Sequence, residues 1–94
     1  MIRDLLRQLV TGSDDQRADA LRTFYRMDED AVDALSEEFY SGVNDETGVA
    51  ILDVISEIGG PDALRLLKYA AYFGEKESWR TAGLRGLARN GIEE

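Results

Sequence analysis

The sequence contains no cysteine and no histidine. Without cysteine there is no disulfide framework, no thiol nucleophile and no Cys-based zinc site. Without histidine the commonest metal ligand and the commonest general base are both missing. No apolar run approaches the roughly 18 residues that a membrane span requires, and the opening MIRDLLRQLV is too charged for a secretory signal. None of Ser13, Ser36, Ser41, Ser56 and Ser78 lies in a GxSxG motif, and no glycine-rich phosphate loop or dinucleotide fingerprint occurs. Basic residues are also scarce, 11 against 19 acids, and the net charge of −8 opposes nucleic-acid binding. These absences lead us to expect a cytoplasmic domain that is not an enzyme, needs no cofactor or metal, and binds neither nucleic acid nor membrane.

What is present is ordinary for a globular chain: 44% hydrophobic and 32% charged residues over 94 positions. A single domain of this size buries roughly 60–65% of the surface its unfolded chain exposes. The organising stretch is Thr47 to Ala71, TGVAILDVISEIGGPDALRLLKYAA. Ile51, Leu52, Val54, Ile55 and Ile58 form one apolar helical face. Gly59-Gly60 stops that helix and Pro61 opens the next, because glycine takes the left-handed conformation at a C-terminus and proline tolerates the first turn. A second stripe follows at once with Ala63, Leu64, Leu67, Ala70 and Ala71. The unit reads as a helix, a tight turn and an antiparallel helix.

The pattern recurs. Moving back 31 residues, Ala20, Leu21, Phe24 and Met27 fall on Ile51, Leu52, Ile55 and Ile58. After the turn the offset is 32, placing Ala31, Val32, Leu35 and Phe39 on Ala63, Leu64, Leu67 and Ala71. Moving forward 32 residues, Ile55 and Gly59 land on Leu87 and Gly91. This third copy departs from the pattern at Gly83, Gly86 and Asn90, which are weak helix formers. Ile2, Leu5, Leu6, Leu9 and Val10 form a further stripe spaced like the second helix of a copy.

Ile58-Gly59, Pro61-Asp62 and Ala63-Leu64 with Leu67 resemble the short HEAT-like repeats named after phycobilisome lyases, and Arg17 and Arg80 stand near the place of that family's starting arginine. The resemblance implies an all-α fold, an α-solenoid of about six helices in HEAT-like hairpins. The whole chain, 1–94, forms one domain on this reading: an N-terminal capping helix at 1–12, repeat 1 at 13–43, repeat 2 at 44–75 and half of repeat 3 at 76–94. Thr11-Gly12 ends the first helix, and Ser13 with Gln16 reads as a capping box opening a helix over Asp14 to Met27. Further helices are expected over Asp30 to Ser41 and from Trp79 to Asn90, with Trp79 packing on the helix before it. Ile92-Glu93-Glu94 is a short tail.

The resemblance also covers DNA glycosylases, disfavoured here by the acidic charge, and metal hydroxylases built on His-Glu pairs, excluded by the lack of histidine. Its implication for this chain is surface recognition: a non-catalytic protein-binding module or adaptor whose partner, another protein, docks on the concave face lined by the second helix of each repeat. Residues off the core stripe on those helices are Asp33, Glu37 and Tyr40, then Arg65, Lys68, Tyr69 and Tyr72 with Phe73. Tyr40 and Tyr72 occupy equivalent places, 32 residues apart, and predict a tyrosine ladder. The alternative is the namesakes' role, a bilin-handling accessory factor or lyase subunit.

Charge is uneven along the chain. Between Arg26 and Arg65 there are eleven acids and no base, whereas Arg65 to Arg89 holds six bases and two acids. Read outward, this predicts either solvated helix faces or a dipole that orients a partner. The acidic turn lacks the acid at Val32 and the glycine at Asp33 that a calcium loop would need. Leu84, Leu87 and Ile92 are expected to be uncovered at the C-terminal edge, where a homodimer could form.

Overall fold

The starts of three helices are written locally in the chain. The Ser13 hydroxyl accepts the Gln16 N–H at 3.2 Å while the Gln16 side chain accepts the Ser13 N–H at 2.9 Å, a reciprocal capping box. The Asn44 side chain caps the Thr47 N–H at 2.9 Å, and Pro61 takes a first-turn position. The computed structural model describes residues 1–92, so Glu93 and Glu94 of the expected tail lie outside the described residues. Six α-helices occupy the described chain: α1 (Ile2–Thr11), α2 (Asp14–Met27), α3 (Glu29–Ser41), α4 (Asp45–Ile58), α5 (Pro61–Phe73) and α6 (Glu77–Arg89). The all-α expectation holds, and the described residues contain no strand.

Turns follow the residues that were expected to make them. Gly59 ends α4 at φ 76° and Gly60 follows at φ 93°, conformations in which a side chain is strained. Between α2 and α3 a single residue, Asp28 at φ 54°, makes the whole connection, so α3 begins at Glu29 rather than Asp30. Helix α6 likewise begins earlier than Trp79, at Glu77.

The apolar stripes meet around α4, which touches all five other helices. Phe24, Leu35, Ile51, Leu52, Ile55, Leu66, Leu67 and Leu87 are all but fully buried. Helix α6 lies along both α4 and α5, α1 rests on α2 and α4, and α2 meets α4 only sparsely. The glycines that weaken α6 as an isolated helix are what allow this docking. A Cβ on Gly83 would come within 2.7 Å of the Ala71 nitrogen, and one on Gly86 within 2.6 Å of the Leu67 side chain. Close approach of α6 to α5 outweighs the loss of helix propensity, which is about 1 kcal/mol per glycine.

Trp79 joins three helices. Its ring lies 4.9 Å from that of Phe39 on α3, and its indole N–H donates to the Asp45 carbonyl at 3.1 Å. Its other neighbour is Gly48 on α4, where any Cβ would collide with the indole. The ring therefore packs on α3 and α4, not simply on the preceding helix. The C-terminal edge also differs from expectation. Leu87 is 2% exposed and Ile92 half-buried against the core, which leaves Leu84, at 47%, as the open apolar group.

Two predictions concern this packing. Gly48→Ala is expected to destabilise the protein by about 1–3 kcal/mol through overpacking. Combined with Trp79→Phe, its added cost should shrink, because the indole atoms it strikes are gone; additive urea-denaturation free energies would contradict the contact. At the α4–α5 turn, Gly59→Val should cost about 1–2 kcal/mol from backbone strain. An unchanged melting temperature would contradict the positive φ.

Candidate functional site

Helices α3 and α5 lie side by side and carry most of the exposed aromatic surface. Tyr40 is 55% exposed, Tyr69 42%, Tyr72 49% and Phe73 71%. Three of these rings form a chain across the two helices: Tyr40 meets Tyr69 edge-on at 5.2 Å, and Tyr69 meets Phe73 at 6.0 Å. The expected pairing of Tyr40 with Tyr72 is not formed. The ring that meets Tyr40 on α5 is Tyr69, about one helical turn before Tyr72.

Tyr40 is a ridge between two shallow depressions. On one side, about 380 Å³ is lined by Asp33, Ser36, Glu37 and Tyr40 of α3 and by Asp62, Arg65 and Leu66 of α5. On the other, about 320 Å³ is walled by Tyr40, Tyr69 and Phe73 and reaches the buried Phe39 and Trp79 rings, with Lys76 at its edge. Arg65 reaches back to Asp62 at 2.9 Å on its own helix, so Asp33 and Glu37 have no ion-pair partner among the described residues. Burial raises the Tyr40 pKa above its ordinary 10.0, the neighbouring Tyr69 adds to this, and Arg65 opposes it. The hydroxyl thus stays a hydrogen-bond donor through the physiological range.

Of the residues singled out in the sequence, Asp33, Glu37, Tyr40 and Arg65 come together around the first depression, and Tyr69 joins them through Tyr40. Lys68 and Tyr72 are exposed on α5 but line neither depression. Phe39 and Trp79 read as core residues in the sequence, and they are buried, yet their rings also form the floor of the aromatic depression.

A larger cleft, about 810 Å³, was not foreseen. It runs over Leu21 and Tyr25 of α2, Val49 and Ala50 of α4, and the end of α1 at Leu9 and Val10, with α6 along its far side. It lies where α2 and α4 touch only sparsely, with α1 against both. Burial and then Glu57 raise the Tyr25 pKa, Arg89 partly offsets them, and Asp53 raises it a little further. Only an exposed aromatic off the stripe, Tyr25 next to Phe24, hinted at it in the sequence.

The charges of this cleft change the picture of a segregated dipole. Asp53 pairs with Arg85 at 3.1 Å, Glu57 with Arg89 at 2.6 Å, and Asp45 with Lys76 at 3.5 Å. Acids of α4 and bases at or just before α6 are neighbours in space, so three of the eleven acids between Arg26 and Arg65 are matched by bases far along the chain. Arg89 also donates to the Ser56 hydroxyl, and Asn90 donates to the Ser56 carbonyl at 3.1 Å, tying the ends of α4 and α6 together. No three carboxylates among the described residues converge on a point where a metal ion could be held.

The raised tyrosine pKa values give a pH prediction. Tyr40→Phe and Tyr25→Phe should each remove one late-ionising component from the ultraviolet titration, above the ordinary value of 10.0. Because the folded values are raised, each hydroxyl contributes stability below about pH 10 that is lost as pH climbs through the folded value. Titration curves of both variants that differ from wild type only by one ordinary tyrosine would contradict the assignment.

Compared with protein-family models, with curated proteins and with solved structures, the chain has no match.

Proposed function

We propose that the protein is a non-catalytic protein-binding module, an adaptor that receives its partner on the face formed by α3 and α5. The observation that carries this reading is the exposed aromatic chain Tyr40–Tyr69–Phe73 beside the unpaired carboxylates of Asp33 and Glu37. Aromatic side chains supply large contact area at small entropic cost, and interfaces concentrate their binding energy on such anchors. Arg65, Lys68 and Tyr72 complete the face at its α5 side. We assign the fold to an α-solenoid of HEAT-like hairpins. In support, α2, α4 and α6 begin 31 and 32 residues apart, and α3 and α5 begin 32 apart. The module works in the cytoplasm on a protein ligand, not on nucleic acid or membrane; no helix of the described residues is long and apolar enough to cross a membrane. Leu84 is the apolar group through which a second copy would dock at the C-terminal edge.

A second reading is favoured by one observation. The α2–α4–α6 cleft, at about 810 Å³, has the volume of a small-molecule site, and Arg17 on its wall has no ion-pair partner among the described residues, while Arg85 and Arg89 are held by Asp53 and Glu57. A bilin seated there would meet Arg17 with one propionate and would displace Asp53 or Glu57 to reach a second guanidinium with the other. Co-expression with a bilin should give a retained absorbance band on this reading and none on the adaptor reading.

The test of the adaptor reading is capture of partners from the native host by wild type and variants. Tyr40→Ala and Tyr72→Ala are expected to weaken the captured complex by about 1–2 kcal/mol each with the fold intact. Arg65→Glu should act mainly on association rate, with the effect masked by salt. Wild-type affinity in both tyrosine variants would move the binding surface away from α3 and α5.

A further inference from the structure

Resting on that reading, we propose that the ligand of the α3–α5 face is an extended, proline-rich segment carrying an arginine or lysine one polyproline turn from a proline. Asp33, Glu37 and Tyr40 fall on one face of α3, at positions i, i+4 and i+7. At 1.5 Å per residue, Tyr40 lies about 4.5 Å along the axis from Glu37 and about 10 Å from Asp33. A polyproline II helix advances roughly 9 Å per three-residue turn. A proline seated on the aromatic side of Tyr40 therefore brings the residue one turn away over the acidic depression. That residue must be basic, because Asp33, Glu37 and Asp62 face a single guanidinium there, Arg65, which is already paired with Asp62.

The aromatic side supplies what such a segment lacks. Its backbone makes no internal hydrogen bonds, so its carbonyls are free to accept. The hydroxyls of Tyr40 and Tyr69, both on exposed side chains, are donors at this face. Proline rings are compact, puckered and apolar, and the edge-on Tyr40–Tyr69 pair with Phe73 beyond it offers slots between rings rather than one smooth plane. Shape argues against a docked helix, whose diameter of about 10 Å needs a continuous trough. Here Tyr40 stands between depressions of only about 320 and 380 Å³. Strand addition would need an open sheet edge, and the described residues contain no strand.

The experiment is an NMR titration of the whole chain with four synthetic ten-residue peptides: one proline-rich with an arginine three residues from a proline, one with that arginine changed to glutamate, one with its prolines changed to alanine, and a basic amphipathic helix former of equal charge. The first should bind with shifts centred on Tyr40, Tyr69 and Phe73. The glutamate and alanine peptides should each bind about tenfold more weakly, the loss expected for one anchor. Tyr40→Ala should weaken the first peptide about tenfold, and Glu37→Gln, an exposed change that leaves the melting temperature as it was, about fivefold. Equal binding of the glutamate or alanine peptide overturns the proposal. So does tighter binding of the helix former at the same residues, in which case the α3–α5 face stands as the binding surface with a different ligand. If no peptide moves these resonances while capture from the host still depends on Tyr40, the proline-rich ligand is wrong and the adaptor reading survives. If capture is also indifferent to Tyr40, both fall.

Discussion

Everything in this fold depends on one 14-residue helix having almost no surface to spare. All five other helices touch α4, and only Asp45, Glu46 and Glu57 of its residues are exposed. Ile51, Leu52 and Ile55 are fully buried, each contributing on the order of 1.5–3 kcal/mol relative to exposure. The ion pairs from α4 to Lys76, Arg85 and Arg89 are partly exposed and contribute about 0–1 kcal/mol apiece. Packing decides the stability, and the charges agree with the register that packing sets. Asp53–Arg85 and Glu57–Arg89 each link positions 32 residues apart, two contacts of equal offset between α4 and α6.

Small residues translate that constraint into geometry. Gly48 makes room for an indole, and Gly83 and Gly86 let a backbone approach where side chains would hold it away. Placing the indole on Gly48 lets Trp79 reach Phe39, and so couples α6 to α3, two helices that are distant in the chain. Among the described residues Ser56 is the one buried polar side chain, and its hydroxyl and carbonyl are both used, by Arg89 and Asn90. A buried hydroxyl costs free energy unless it is bonded. The weak helix formers at the end of the sequence are thus the residues that seat α6.

Much of the helical framework was legible because its signals are local. A capping box, a Gly-Gly-Pro turn and apolar stripes act over three to four residues, and they located the helices to within about two residues. Side-chain neighbours across helices were less legible. Tyr40 and Tyr72 share a repeat position, but the approach of α3 to α5 brings Tyr69 to Tyr40 instead. The charge imbalance was visible as a run along the chain, but not as pairs between α4 and the basic residues at and before α6, which requires knowing that the two helices are adjacent. Leu87 is covered by the close α5–α6 packing, whereas counting helices alone left it open. The cleft between α2 and α4 depends on how sparsely these helices touch, which no local signal encodes.

The two sides of the molecule differ in what their charges have left to offer. Around the cleft, the α4 acids Asp45, Asp53 and Glu57 already face Lys76, Arg85 and Arg89. A ligand seeking them would have to displace a partner, and the exchange of one surface pair for another gains little. On α3, Asp33 and Glu37 carry no such partner, and the aromatic rings beside them are held edge to face before any ligand arrives. A preformed aromatic surface loses little side-chain freedom on binding, so more of its contact energy remains as affinity. Free charge and exposed aromatic area coincide there, and the proposal that the α3–α5 face receives a partner rests on that coincidence more than on the depth of any depression.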